Sequence, residues 1–167
     1  FLRLLGVSKE NADAGMTSKE FMTIVDVSHE SGAIEEDEKD LIQNVISFND
    51  STAKEIMIPR IDVTMANANW SYDKVLATFS ENMYTRLPVY EESTDNVIGI
   101  LNMKDLLLFD RTSPFILKKY LRKPYYTYEQ KHIDELFDEM RKSSASLAIV
   151  LDEFGACAGL IPLEDLL

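Results

Sequence analysis

The chain repeats itself, and no other feature restricts its fold as strongly. Shifted by 60 positions (Gly99 to Gly159), the second half falls on the first. Leu76 meets Leu136, Leu87 meets Leu147 and Val89 meets Ile149, while Asp105-Leu106-Leu107 meets Asp165-Leu166-Leu167. Each copy has one grammar: an amphipathic helix, a strand, a turn, a second strand and a short helix. The helix face is Val75, Leu76, Phe79 and Met83 in the first copy and Ile133, Leu136, Phe137 and Met140 in the second, at helical spacing. The strands are Leu87–Tyr90 and Val97–Leu101, then Leu147–Leu151 and Cys157–Ile161. Turn-forming runs, 92–96 and 152–155, join them. A unit this small cannot enclose a core alone, so the two copies are expected to share one. The pattern predicts a mixed α/β (α+β) fold. Its two copies occupy 51–112 and 113–167, each a small sheet with packed helices.

The segment ahead of the repeats, 1–50, reads as linker and helix. Residues 7–18 are polar and aperiodic, and Phe1–Leu5 is apolar but too short for a signal sequence. Thr17 and Glu20 form a capping box for a helix carrying Phe21, Ile24 and Val25, and Gly32 ends it. A second helix is predicted from about Glu35, with Leu41, Ile42, Val45 and Ile46 as its stripe. The acidic run Glu35-Glu36-Asp37-Glu38 suits the positive end of that helix dipole better than a metal site.

Charge narrows the function. With 17 Lys plus Arg against 29 Asp plus Glu, the net charge is −12, which repels phosphate backbones and excludes nucleic acid as the expected partner. Cys157 is the only cysteine, so no intrachain disulfide can form. One Cys with the distant His29 and His132 makes no zinc-type set, and no nucleophile has a base beside it in a catalytic pattern. No catalytic residue and no metal ligand is therefore assigned.

Each copy closes on a glycine followed six residues later by an aspartate: Gly99 to Asp105, and Gly159 to Asp165. A strand running into a helix N-terminus offers backbone N–H groups to a phosphate, and an Asp in the first turn can accept from ribose hydroxyls. Asn102 and the two Asp residues equally suit capping and dipole complementation, so both readings stand at this point. Pro59 also reads as the stop of a short helix capped by Thr52 and Glu55. Met57, Met83 and Met140 read as core filling.

The duplicated ending resembles the cystathionine-β-synthase (CBS) domain pair. Glu55-Ile56-Met57-Ile58-Pro59-Arg60, Tyr84-Thr85-Arg86-Leu87-Pro88-Val89-Tyr90 and 147–155 are similar, more narrowly, to the CorC/HlyC family. These are hemolysin-C-like proteins related to magnesium and cobalt efflux proteins and cyclin-M transporters. The similarity extends to 30–38 and to the Leu4-Leu5-Gly6 start. It implies an adenine nucleotide (AMP or ATP, with or without Mg2+) held between the repeats. Ile58 and Pro59 would flank the adenine, Arg86 would meet phosphate and Asp165 would hold the ribose. A pocket in the other copy would keep Asn102 and Asp105, with Ser146 in place of Arg86. Arg86 alternatively reads as a surface ion pair with Glu91 or Glu92.

Pro162 departs from the pattern, which expects Thr or Ser there. Proline lacks hydroxyl and N–H, so two phosphate donors vanish. AMP-like ligands, or none, are then expected over tight ATP binding. The resemblance further implies a cytosolic regulatory module that pairs face to face as a homodimer. It would act on a membrane ion-transport domain of the same full-length chain, preceding Phe1, with a small C-terminal domain after Leu167. Loss of the ligand would leave a constitutive dimerisation scaffold as the alternative.

Overall fold

The computed structural model describes residues 17–167. The expected linker at 7–18 lies outside these residues except for Thr17 and Ser18, and the Phe1–Leu5 and Leu4-Leu5-Gly6 readings lie outside them entirely. The chain divides into two compact units, one ending at Asp50 and one spanning Ser51–Leu167.

The first unit holds helices α1 (Ser18–Glu30) and α2 (Glu36–Asp50). The Thr17 capping box forms as expected: the Glu20 N–H donates to Thr17 Oγ1 at 3.2 Å and the Thr17 N–H to Glu20 Oε2 at 3.3 Å. Gly32 takes φ +81°, which favours glycine, in the turn between the helices. Lys39 reaches Asp26 at 3.2 Å and His29 reaches Glu36 at 2.7 Å, tying the helices together. The expected apolar stripes do not become core. Of these helices only Val25 is buried, and Phe21, Ile24, Leu41 and Val45 are all exposed.

The second unit carries α3 (Ala53–Ile56), β1 (Ile58–Pro59), β2 (Ala66–Asn67), α4 (Tyr72–Asn82), β3 (Arg86–Glu91) and β4 (Ser93–Asn102). It continues with β5 (Tyr125–Tyr128), α5 (Ile133–Lys142), β6 (Leu147–Leu151) and β7 (Cys157–Pro162). Short 3₁₀ helices follow β4 (Met103–Leu108) and β7 (Leu163–Leu166). The helix–strand–turn–strand–helix grammar of both copies is present. The short strands β1, β2 and β5 were not anticipated, because two to four residues show no readable alternation.

One of those short strands, β1, joins the copies. The sheets are ordered β1-β7-β6-β5 and β2-β3-β4. Strand β1, from the first copy, pairs antiparallel with β7 of the second, Ile58 opposite Leu160 and Pro59 opposite Gly159. The reciprocal bridge links Ile100 and Arg122, each donating its N–H to the other's carbonyl at 3.0 and 2.8 Å. The expected shared core follows. Val97 and Ile100 pack in one buried cluster with Leu147, Ile149, Cys157 and Leu160. A second cluster, around Phe79, Leu87, Leu101 and Leu106, is built mainly from the first copy and takes in Leu117 from the second.

The 60-residue shift needs correction over half of each repeat. Gly99 and Gly159 are equivalent, one opposite Val89 and the other opposite Val150. Val89 therefore matches Val150, not Ile149, and the shift there is 150 − 89 = 61. The same 61 relates buried Val75 to Leu136 and Phe79 to Met140, and left-handed Met83 (φ 57°) to Ser144 (φ 55°). The second copy has one residue fewer in its hairpin turn, where Asp152 Oδ1 accepts from the Phe154 and Ala156 N–H groups and Gly155 takes φ +80°. Leu76 and Met83 consequently leave the predicted helix face, at 37% and 86% exposure. Met140 is core as expected, whereas Met83 is not and Met57 is only half-buried.

Candidate functional site: two clefts around Arg86

A cleft of about 290 Å³ opens where the copies interleave. Pairing of β1 with β7 places Ile58 beside Leu160, and β7 ends in Pro162, so the cleft has an apolar wall completed by Val63 and Leu147. Met83, in the left-handed conformation after α4, and Tyr84 lead into Thr85 and Arg86, which also line it. Asp62, Thr64 and Glu164 supply further polar groups. Arg86 Nη2 donates to Glu164 Oε1 at 2.8 Å. The ion pair foreseen with Glu91 or Glu92 is thus made with Glu164 instead, and Glu91 pairs with Lys118.

A second cleft, of about 530 Å³, shares Arg86 and Thr85 with the first and is lined by Asn102, Met103, Lys104, Arg122 and Ser146 as well. It is cationic. Asp105 is held by Arg122 through two bonds, Nε to Oδ2 at 2.8 Å and Nη2 to Oδ1 at 2.9 Å, the bidentate geometry that guanidinium favours. Asn102 Oδ1 is buried and has no hydrogen-bond partner.

The bond from Arg122 holds the Asp105 carboxyl below the usual carboxylate range. A depressed folded-state value adds stability above the unfolded value, and that contribution is lost as pH falls through the folded one. Replacing Arg122 with alanine is expected to return Asp105 towards the ordinary value in a side-chain NMR titration. It should also flatten the acid limb of stability against pH. An unchanged Asp105 titration would show that the pair is not formed in solution.

The predicted residues distribute between the clefts. Ile58, Arg86 and Pro162 line the first, Arg86 and Asn102 line the second, and Asp105 joins the second through Arg122. Pro59 and Asp165 are both exposed and line neither. Ser146 does not stand in the place of Arg86. The Met103 N–H donates to Thr85 O and the Leu163 N–H to Ser146 O, both at 2.9 Å, which makes Ser146 the equivalent of Thr85 and gives Leu147 the place of Arg86. Those two bonds also use the first amide after each strand, which leaves the expected phosphate cradle one donor fewer in each copy. The capping box foreseen at Thr52 is absent, for Thr52 Oγ1 donates to the Glu55 carboxylate rather than capping the helix.

Sequence reasoning missed Glu164, Lys104 and Arg122. The first two are visible as unlike charges at equivalent repeat positions (104 + 60 = 164). Arg122 has no sequence signal, because its role depends on the bridge to Ile100. Burial pushes the Cys157 thiol up, away from the reactive thiolate. Among the described residues no group of three or more His, Cys, Asp or Glu is placed to hold a metal, and no helix is long and apolar enough to cross a membrane.

A family model for the CBS domain matches residues 53–111. Hemolysin C of Brachyspira hyodysenteriae is 36% identical over 135 residues, covering 81% of this chain and 50% of that one. The magnesium and cobalt efflux protein CorC of Escherichia coli (strain K12) is 35% identical over 150 residues, covering 89% of this chain and 51% of that one. The chain thus spans about half the length of these two relatives. The solved CBS domain of a bacterial CNNM/CorC family Mg2+ transporter in complex with ATP matches with a TM-score of 0.72 at 32% identity, covering 78% of this chain and 94% of that one.

Proposed function

Because the chain belongs to the CNNM/CorC family of CBS-domain proteins, we propose that it is a regulatory module that binds an adenine nucleotide in the first cleft. It performs no catalysis of its own. In this reading residues 51–112 and 113–167 are the two CBS repeats. The observation that carries the proposal is the guanidinium of Arg86 lining one cleft with Ile58, Leu160 and Pro162. An apolar wall suits the faces of a base, and a single cation suits a phosphate. The volume of about 290 Å³ sits near the lower end of the roughly 300–1,000 Å³ of small-molecule sites. Similarity to a transporter domain solved with ATP supports the ligand class.

Glu164 and Asp62 line the cleft in place of the expected Asp165, so they are the carboxylates available to sugar hydroxyls. Pro162 brings neither hydroxyl nor N–H to this wall. It can pack against the base, and Arg86 carries the phosphate alone. The module acts in the cytoplasm as a homodimer attached to a membrane ion-transport domain of the full-length protein. Nucleotide regulates that domain only if it binds two states of the module with different affinity.

The test is a thermal-shift titration with AMP, ADP, ATP and S-adenosylmethionine, each with and without Mg2+. A ligand at about a hundred times its dissociation constant should add roughly 2.7 kcal/mol. In Arg86→Ala the nucleotide affinity is expected to fall roughly ten- to a hundredfold, the weight of a charge-assisted hydrogen bond. No response to any of the four, in a sample dimeric by light scattering, would favour a constitutive dimerisation scaffold. The Glu164 ion pair on Arg86 is the observation on that side.

A further inference from the structure

We propose that Glu164 sets the charge preference of the first cleft. It acts as a built-in counter-anion on Arg86, so the cleft disfavours ligands in proportion to their phosphate charge. This rests on the nucleotide reading above and specifies how that same cleft selects its ligand. Arg86 Nη2 donates to Glu164 Oε1 at 2.8 Å, and both side chains line the cleft with Asp62. The lining therefore sets one cation against two carboxylates. A phosphate that takes Arg86 must first displace Glu164, whose freed carboxylate then faces the incoming anion. The cost of that encounter grows with each added phosphate charge.

The duplication supplies an internal comparison. The position equivalent to Glu164 in the first copy is Lys104, and it lines the second cleft. There Arg86, Lys104 and Arg122 line the cleft together, and Asp105 is tied to Arg122. Reversal of charge at this one position thus gives the first cleft a carboxylate on Arg86 and the second an additional cation beside two paired guanidiniums. Pro162 and Asn102, and Leu163 and Met103, also differ between the copies but are uncharged and cannot produce that contrast. The Glu164 side chain is 59% exposed, so its replacement leaves no buried group unpaired.

The experiment is a calorimetric titration of the chain with adenosine, AMP and ATP in EDTA, so that no metal neutralises the phosphates. Wild type, Glu164→Gln and Glu164→Lys are compared, with melting curves confirming that each is folded. Adenosine is expected to bind all three alike. AMP should bind Glu164→Gln a few-fold more tightly and ATP about tenfold more tightly, with a larger gain in Glu164→Lys, as expected for removing a competitor from a charge-assisted bond. Raising the salt concentration should shrink the differences. A gain equal for all three ligands, or weaker ATP binding in Glu164→Gln, would overturn the role of Glu164 while leaving the nucleotide reading intact. Silence towards every ligand in wild type and both variants would remove the nucleotide reading and this proposal with it.

Discussion

Phe79→Ala is expected to lower the stability of the Ser51–Leu167 unit by about 3–5 kcal/mol, the usual cost of removing a buried aromatic ring. Phe79 is 1% exposed on the buried side of α4, in one cluster with Val75, Leu87, Leu101 and Leu106. Truncation removes the transfer energy of the ring and leaves a void that β3 and β4 cannot close, because their register is fixed by six paired positions. A melting-point drop of roughly 10–20 °C should accompany it. Two controls, one on the same helix and one at the residue that follows it, show how the loss scales with burial. Leu76→Ala, at 37% exposure, should cost distinctly less, and Met83→Ala, at 86%, should change stability by no more than about 0.5 kcal/mol. Urea unfolding of the three variants decides the matter. Equal losses at Phe79 and Leu76 would mean that α4 packs through the wider face that its spacing suggests, and not through the narrower one seen.

That contrast shows what was legible in the sequence. Helix α4, helix α5 and the four longer strands are readable because each runs for five or more residues, and β6 matches its predicted bounds. Position along a repeat is less readable. Sequence identity favours a shift of 60 throughout, since Leu76 and Leu136 are the same residue. Only strand pairing shows that Val89 and Val150, 61 apart, share the place opposite a glycine. The single-residue difference moves Leu147 into the equivalent of Arg86's position, which changes which cleft holds which charge. Ile58, Arg86 and Pro162 were found because the family resemblance names those places. Asp165 was carried over in the same way, yet Glu164, its neighbour, lines the cleft. A residue's side along a four-residue 3₁₀ helix is not fixed by spacing alone. The N-terminal hairpin fails differently. Its apolar spacing is correct for two helices, but amphipathic spacing states which residues can be covered, not that this chain covers them.

Gly159→Ala is expected to separate β1 from β7 and to abolish the nucleotide response. A Cβ at Gly159 would lie 2.3 Å from Ile58 O and 3.0 Å from Met57 Sδ. No carbon and oxygen approach so closely without bonding, and the oxygen is backbone, so no rotamer change relieves the overlap. The strand must move, and β1 is held to the sheet by only two paired residues, Ile58 and Pro59. A cost at or above the upper end of the 1–3 kcal/mol typical of overpacking is expected. Ile58 then leaves the cleft wall, and with it one face of the site proposed for the base. Gly99, the equivalent glycine of the first copy, provides the comparison. A Cβ there meets Leu121 side-chain atoms at 2.8–3.2 Å, a milder overlap than the 2.3 Å contact with backbone at Gly159. Gly99→Ala should therefore cost less and leave the first cleft competent. The two variants are compared by thermal shift with and without AMP. Loss of the ligand response in Gly159→Ala but not in Gly99→Ala would tie the site to the strand that joins the two copies. A Gly159→Ala protein as stable and as responsive as wild type would show that β1 does not pair with β7 in solution, and the first cleft would lose its apolar wall.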